Sequence, residues 1–518
     1  MAKPFDFGEI RLRTDDADTS GAQANVEGAF QIVVLGDFSG RASRRVCEPG
    51  SIAKRRGILV DRDNFDEVLA QFGVELHLPM DNPNDALRLR FDELDDFHPD
   101  RIFERSEMFR RLREMRASLS DPATFAKAAQ ELGLVSEGQP AAPPKPAESP
   151  AVAPSAVRLA SGSLLEASIE ETEGLTSQAG PSRAPDELRE FARRVAEPHL
   201  APAANPRQAE VVAVLDRAIG AQMRALMHTA AFQALEAAWR GIFFLVRRVE
   251  TTSQLKLFVV DISKAEVAAD FGASEDPRST GLYRLLVEGT VGTPGADRWA
   301  VIVGNYTFGP SRRDSELLGR MAKIARAAGA PFVAGASPRI LGCASLTATP
   351  QPREWKQPPN AEDAAAWAAA RRLPEADALG LALPRFLLRM PYGKKTDAVE
   401  SFAFEEMEDA PAHEDYLWCN PAIACATLLA QSFSQDGWEM RPGVIAEIDG
   451  LPLHVYEQNG ESVLKPCAEA LLTIEAAERI LDCGLMPLVS LKGRDAVRLA
   501  RFQSIADPPR ALVGPWSR

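Results

Sequence analysis

The spacing of apolar positions changes several times along the chain, and each change marks an element. From His228 onward, HTAAFQALEAAWRGIFFLV places Phe232, Leu235, Trp239, Ile242 and Val246 at steps of three and four. That spacing makes one continuous apolar face on a helix. Residues 255–260 and 299–303 are short apolar runs bounded by turn formers, the pattern of buried strands. Helical patterns follow each run, at 263–270 and 312–328, and a third apolar run covers 331–334. Strand, helix, strand, helix, strand predicts a mostly parallel sheet covered by helices, an α/β class within an α+β whole.

Upstream, AFQIVVL at 29–35 predicts another buried strand, ending in GDFSG. Residues 74–78 and 87–91 alternate apolar and polar, which predicts half-buried strands. Ile102, Phe103, Met108, Leu112 and Met115 predict one helix over 99–118, followed by a shorter one to about 132. Further on, Val212, Leu215, Ile219, Met223 and Leu226 mark a helix leading into the His228 block.

Composition then divides the chain. Residues 1–28 are polar and read as an arm, and 29–135 form a first domain. Residues 136–160 carry Pro140, Pro143, Pro144, Pro146, Pro150 and Pro154 among Ala, Ser and Glu, the composition of a linker that buries no core. In a polyproline conformation such a segment reaches on the order of 75 Å. Residues 161–185 hold a short island in which Leu164, Leu165 and Ile169 share one face of a two-turn helix. So short a helix needs a partner to persist in water. Residues 186–518 form the larger domain.

Charge and cysteine content narrow the function. Fifty-nine Lys and Arg against 73 Asp and Glu give a net charge of −14, which opposes binding to nucleic acid or to an anionic membrane. No apolar run reaches the roughly 18 residues that span a bilayer, and the first residues lack the apolar core of a signal peptide. Six scattered cysteines suit reduced, mostly buried thiols in the cytoplasm.

Candidate chemistry is thin. Gly393-Lys394-Lys395-Thr396 resembles part of a phosphate loop, but Leu388 stands where the first glycine belongs and Lys395 where Ser or Thr belongs. Gly36-Asp37-Phe38-Ser39-Gly40 misses the nucleophile-elbow spacing by one residue, so Asp37 and Ser39 read as turn formers. His413, Cys419 and Cys425 lack the paired spacing of a zinc site. The pairs Asp95/Asp96, Glu170/Glu171 and Glu405/Glu406 read as solvated faces or intersubunit charge pairs. The expectation is a protein without enzymatic activity, cofactor or metal.

A family resemblance completes the reading. HTAAFQALEAAWRG, GTPGADRW, VGNYTFGPSRRDSELLGRMAKIARAAGAPFVAGASPRILG and LPRFLLRMPYGKKTDAVESFAFEE resemble the large subunit of the type VI secretion contractile sheath. VVLGDFSGRASRR, VDRDNFDEVLA, LRLRFDELDDFHPDRIFE and LREMRASLSDPATFAKAAQEL resemble its small subunit. The resemblance implies two sheath-subunit-like modules fused in one chain, small before large. It implies assembly with other protomers around an inner tube, attachment to a baseplate, and contraction that drives secretion. It further implies that Leu164, Leu165 and Ile169 are a candidate recognition helix for an AAA+ unfoldase of the ClpV type, the alternative being that this helix docks onto its own domain. Leu87, Leu89 and Phe91 are then candidates for an interprotomer strand, and Phe232, Leu235 and Trp239 pack the protomer body. The family's large subunit continues past a motif matching Gln503-Ser504 into a further region that supplies strands, which this chain is expected to lack. Two alternatives stand beside this reading: a non-polymerising cap, accessory or regulatory subunit, and an α/β enzyme handling nucleotides or sugars.

Overall fold

A computed structural model describes residues 28–79, 86–131, 206–293, 296–407 and 411–517. The arm before Gly28, the linker at 136–160 and the island with Leu164, Leu165 and Ile169 lie outside the described residues. Among the described residues, those up to Met108 and from Gly220 onward form one compact unit, and those from Phe109 to Ile219 form a second.

The strands of the larger unit are, in chain order, β1 (Phe30–Gly36), β2 (Ile58–Val60), β3 (Val74–Pro79), β4 (Ala86–Phe91), β5 (Leu255–Asp261), β6 (Trp299–Phe308), β7 (Phe332–Ala336), β8 (Leu379–Leu383), β9 (Phe386–Leu387), β10 (Trp418–Cys419), β11 (Glu447–Ile448), β12 (Val455–Gln458), β13 (Glu461–Leu464), β14 (Met486–Ser490) and β15 (Val497–Leu499). Nine of them make one sheet in the order β11-β15-β14-β8-β7-β6-β1-β5-β2. From β14 to β5 all neighbours run parallel, while β2, β15 and β11 add antiparallel edges. The α/β class read from the periodicity is therefore the observed one.

β1 sits inside this sheet. It pairs with β5 from Phe30↔Leu255 to Gly36↔Asp261, and with β6 from Gln31↔Trp299 to Leu35↔Gly304. All seven of its residues are buried, which is why, Gln31 apart, its sequence runs apolar without alternation. Among the described residues, β3 and β4 instead pair only with each other, from Val74↔Phe91 to Pro79↔Ala86. Their alternating pattern matches a ribbon with one covered face.

Helices fill the faces. The Ala230–Arg248 helix starts where Thr229 accepts from the Phe232 amide, and it buries Phe232, Leu235, Trp239, Ile242 and Val246. Ser263 and Glu266 form a reciprocal capping box on the Lys264–Gly272 helix. The Arg312–Ala328 helix is capped by Ser311 and ends on Gly329, whose φ of 70° is left-handed. The Pro421–Asp436 helix is buried nearly throughout.

The helix expected over 99–118 is broken. It stops at Arg105, Ser106 turns extended at ψ 131°, and a new helix runs Arg110–Ser120. The Ser106 hydroxyl accepts from the Met108 amide, a local bond that competes with helical continuation.

In the second unit, Arg116 pairs with Asp216 at 2.7 Å. Gln208 donates to the Leu119 and Ser120 carbonyls at 2.8 and 3.0 Å, satisfying the end of the Arg110–Ser120 helix.

Candidate functional site

Three layers of contact bind residues 28–108 to residues 220–517 within the larger unit. The first is backbone: β1 has a ladder on each side, and the Ile262 amide extends it by donating to the Gly36 carbonyl at 2.7 Å. The second is aromatic. Trp239 is fully buried and donates from Nε1 to the Phe38 carbonyl at 2.8 Å. Phe38, Phe65 and Phe72 surround its ring edge-on at 5.4–5.9 Å. Two turns earlier, Phe232 meets the stacked pair Phe91 and Phe97 at 6.1 and 5.8 Å.

The third layer is charged. Glu266 is fully buried and receives Arg41 at 2.9 Å, Arg55 at 2.7 Å and the Glu48 amide at 3.0 Å. Burial alone would raise its carboxyl. The Arg55 guanidinium, the Glu48 and Ser263 amides and Arg41 outweigh that and hold it at about 2. Beside it, Asp261 accepts from the Phe38 and Ser39 amides at 2.8 and 3.1 Å and from the Ser39 hydroxyl at 2.7 Å. Asp100 accepts from the Glu400 and Ser401 amides at 3.0 and 2.9 Å.

A second buried charge cluster braces the same helix from its other flank. Arg389 lies between Glu236, at 2.8 Å, and Glu406, at 2.7 Å, while Arg240 reaches Glu236 at 2.7 Å and the Tyr392 hydroxyl at 2.8 Å. Burial pushes Glu406 up, but Arg389 and His228 bring it down to about 2, and burial pushes the Tyr392 phenol up to about 12. A third cluster joins Glu469 to Arg385 at 2.6 Å and to His413 at 3.3 Å.

The sequence-predicted positions fall as follows. Phe232, Leu235 and Trp239 lie at the joint, each at most 3% exposed. Leu89 and Phe91 are buried and Leu87 half-buried, all in β4 against β3. Residues 393–396 form a loop that faces a protein carboxylate: the Lys394 amide donates to Glu405 at 3.2 Å, and a Cβ on Gly393 would lie 2.1 Å from Glu405 Oε2. Asp37 caps its own turn by accepting from the Arg41 and Ala42 amides. Among the described residues no three His, Cys, Asp or Glu side chains gather as a metal site, and no helix is long and apolar enough to cross a membrane. Glu406, read as half of a solvated acidic pair, is instead 1% exposed and paired with Arg389. Glu236 and Glu266 escaped sequence reasoning. The signal for Glu236 was a carboxylate inside the apolar stripe with Arg240 four residues on.

The two sides of this joint correspond to two known families. A model of the tail sheath N-terminal domain (VipB) matches residues 209–506, and one of the type VI secretion system VipA family matches residues 11–132. The chain belongs to the type VI secretion sheath family. The type VI secretion system sheath protein TssC1 of Pseudomonas aeruginosa is 37% identical over 306 residues, covering 58% of this chain and 61% of that protein. The chain therefore spans about three fifths of that relative's length. In sheath-family terms, the VipA-matching segment carries β1 to β4 and the VipB-matching segment β5 to β15. The central sheet is built from both, with the VipA-matching β1 flanked on each side by VipB-matching strands.

Proposed function

We propose that the chain is a fused sheath protomer: a structural subunit in which residues 28–108 and 220–517 share one central sheet and which assembles with further copies around an inner tube. The observation that carries this reading is the position of β1 between β5 and β6. A strand fully hydrogen-bonded on both edges is a permanent part of a body, unlike a strand added to an exposed edge. Buried arginine–glutamate clusters and the aromatic cage around Trp239 give that body the stiffness needed to transmit force.

On this reading the subunit works mechanically, in the cytoplasm, without a catalytic step. Contraction is a rearrangement between such bodies. The outer edge of β4, with Leu87, Leu89 and Phe91, is a candidate for strand pairing with a neighbour. Leu164, Leu165 and Ile169 are the candidate recognition segment for an unfoldase, and the baseplate is the candidate anchor. The test is negative-stain microscopy of the purified full chain with sedimentation at rising concentration. Tubes or rings are expected, and a monomer at every concentration overturns the reading.

A further inference from the structure

The end of the Ala230–Arg248 helix carries a patch that the joint does not use. Arg240, Phe243, Phe244, Arg247 and Arg248 line a cavity of about 420 Å3 together with Leu388 and the 450–452 segment. Among the described residues no carboxylate lines it. Its three guanidinium groups are satisfied to different degrees. Arg240 is turned inward to Glu236 and Tyr392. Arg248 lies 4.4 Å over the Phe244 ring and gives one N–H to the Gly450 carbonyl at 2.9 Å. Arg247 is exposed, stands 5.6 Å from the Phe243 centroid, and has no carboxylate partner among the described residues.

The phenylalanines are unusual for a helix end. Both are half-buried, and their inner sides are fixed by Phe65 at 5.3 Å and Phe386 at 5.2 Å. The carbonyls that close a helix attract cations, and Arg62 already donates to the Arg247 carbonyl at 3.2 Å. That attraction explains the sign of the charge. It does not explain two rings left half-exposed beneath guanidinium groups. Arginine and aromatic side chains concentrated on one concave spot are the composition of an interface centre. A guanidinium stacked on a ring keeps its in-plane N–H groups free to grip a carboxylate in bidentate fashion. Burial draws the Arg248 pKa down, and the opposing pull of Asp449 and Asp495 does not offset it.

We propose that this patch docks a protein segment that presents acidic side chains beside an apolar one, the carboxylates on Arg247 and Arg248 and the apolar group on Phe243 and Phe244. Charge complementarity selects this occupant: the cavity is cationic on a chain whose net charge is −14, so it attracts acidic partners that the rest of the surface repels. The inference stands independently of sheath assembly.

The test uses the full chain and a fluorescent peptide of alternating glutamate and leucine, followed by anisotropy. Saturable binding that weakens with added salt is expected, with no binding of a lysine–leucine peptide of equal length. The pair Arg247→Glu and Arg248→Glu should lower affinity at least tenfold, and the pair Arg247→Lys and Arg248→Lys should lose less. Thermal melts report whether each variant is folded. If the reversed pair melts early, Arg247→Glu alone gives the reading, because its side chain is exposed. Absence of saturable binding to the natural chain, equal binding by the charge-reversed variant, or binding of the lysine–leucine peptide would each overturn the proposal.

Discussion

Three glutamates carry the electrostatics of this molecule, and they share a physical state. Glu266, Glu406 and Glu469 are each held from an ordinary 4.5 down to about 2: burial acts to raise them, and arginine, histidine or amide partners prevail. A depressed folded value means that the stabilisation is complete above the unfolded pKa and is lost as pH falls toward the folded one. Each contributes about 3 kcal/mol at neutral pH on this linkage. The urea midpoint should therefore hold steady from about pH 7 to 5.5 and fall steeply below about pH 4.5. A midpoint that stays flat to about pH 3 contradicts the assignment. Glu266→Gln at neutral pH leaves Arg41 and Arg55 without their shared anion, and it should cost about 3–5 kcal/mol in chemical denaturation. The same substitution should also flatten the acid limb, because one of the three titrating groups is gone.

At the scale of elements, the joint concentrates on the Ala230–Arg248 helix and on β6. Trp239→Ala removes a ring that touches Phe38, Phe65 and Phe72 and orphans the Phe38 carbonyl. It should cost about 3–5 kcal/mol, and limited proteolysis should then cut within 28–108 before it cuts the Pro421–Asp436 helix. Cleavage in the reverse order argues against a joint centred on Trp239. Gly304 in β6 tests packing in the opposite sense, since an added Cβ would lie 2.4 Å from the Phe332 ring. Gly304→Ala should destabilise by about 1–3 kcal/mol, read as a lower melting temperature. Much of this scale was legible in the sequence. The three-and-four spacing from Phe232 to Val246 found the helix and its buried face, and short apolar runs found β1, β5 and β6. Pairing was not legible, because a run buried on both faces says nothing of its neighbours. The break at Ser106 was hidden because the stripe from Ile102 to Met115 continues across it, while one hydroxyl-to-amide bond decides the backbone. Arg389 was missed because its partners, Glu236 and Glu406, lie far away in the chain.

At the scale of the whole molecule, two matched segments fold into one sheet, and that changes what the covalent link between them does. If β1 had merely been appended to an edge, joining the segments would create the contact by raising local concentration. β1 instead fills an interior slot: it completes ladders with β5 and β6, buries all seven of its residues, and brings Arg41 and Arg55 to Glu266. Without it, β5 and β6 would expose facing edges of unpaired N–H and C=O groups and Glu266 would lose its main counterions. The interaction should therefore be strong enough to persist without the peptide link. Residues 1–135 and 136–518, co-expressed as separate chains, should copurify in equal amounts and melt in one cooperative transition. Each expressed alone should aggregate, the larger piece through its open sheet. Separate elution of two folded pieces would show that the joint depends on the link, and the fused body would then be two tethered domains.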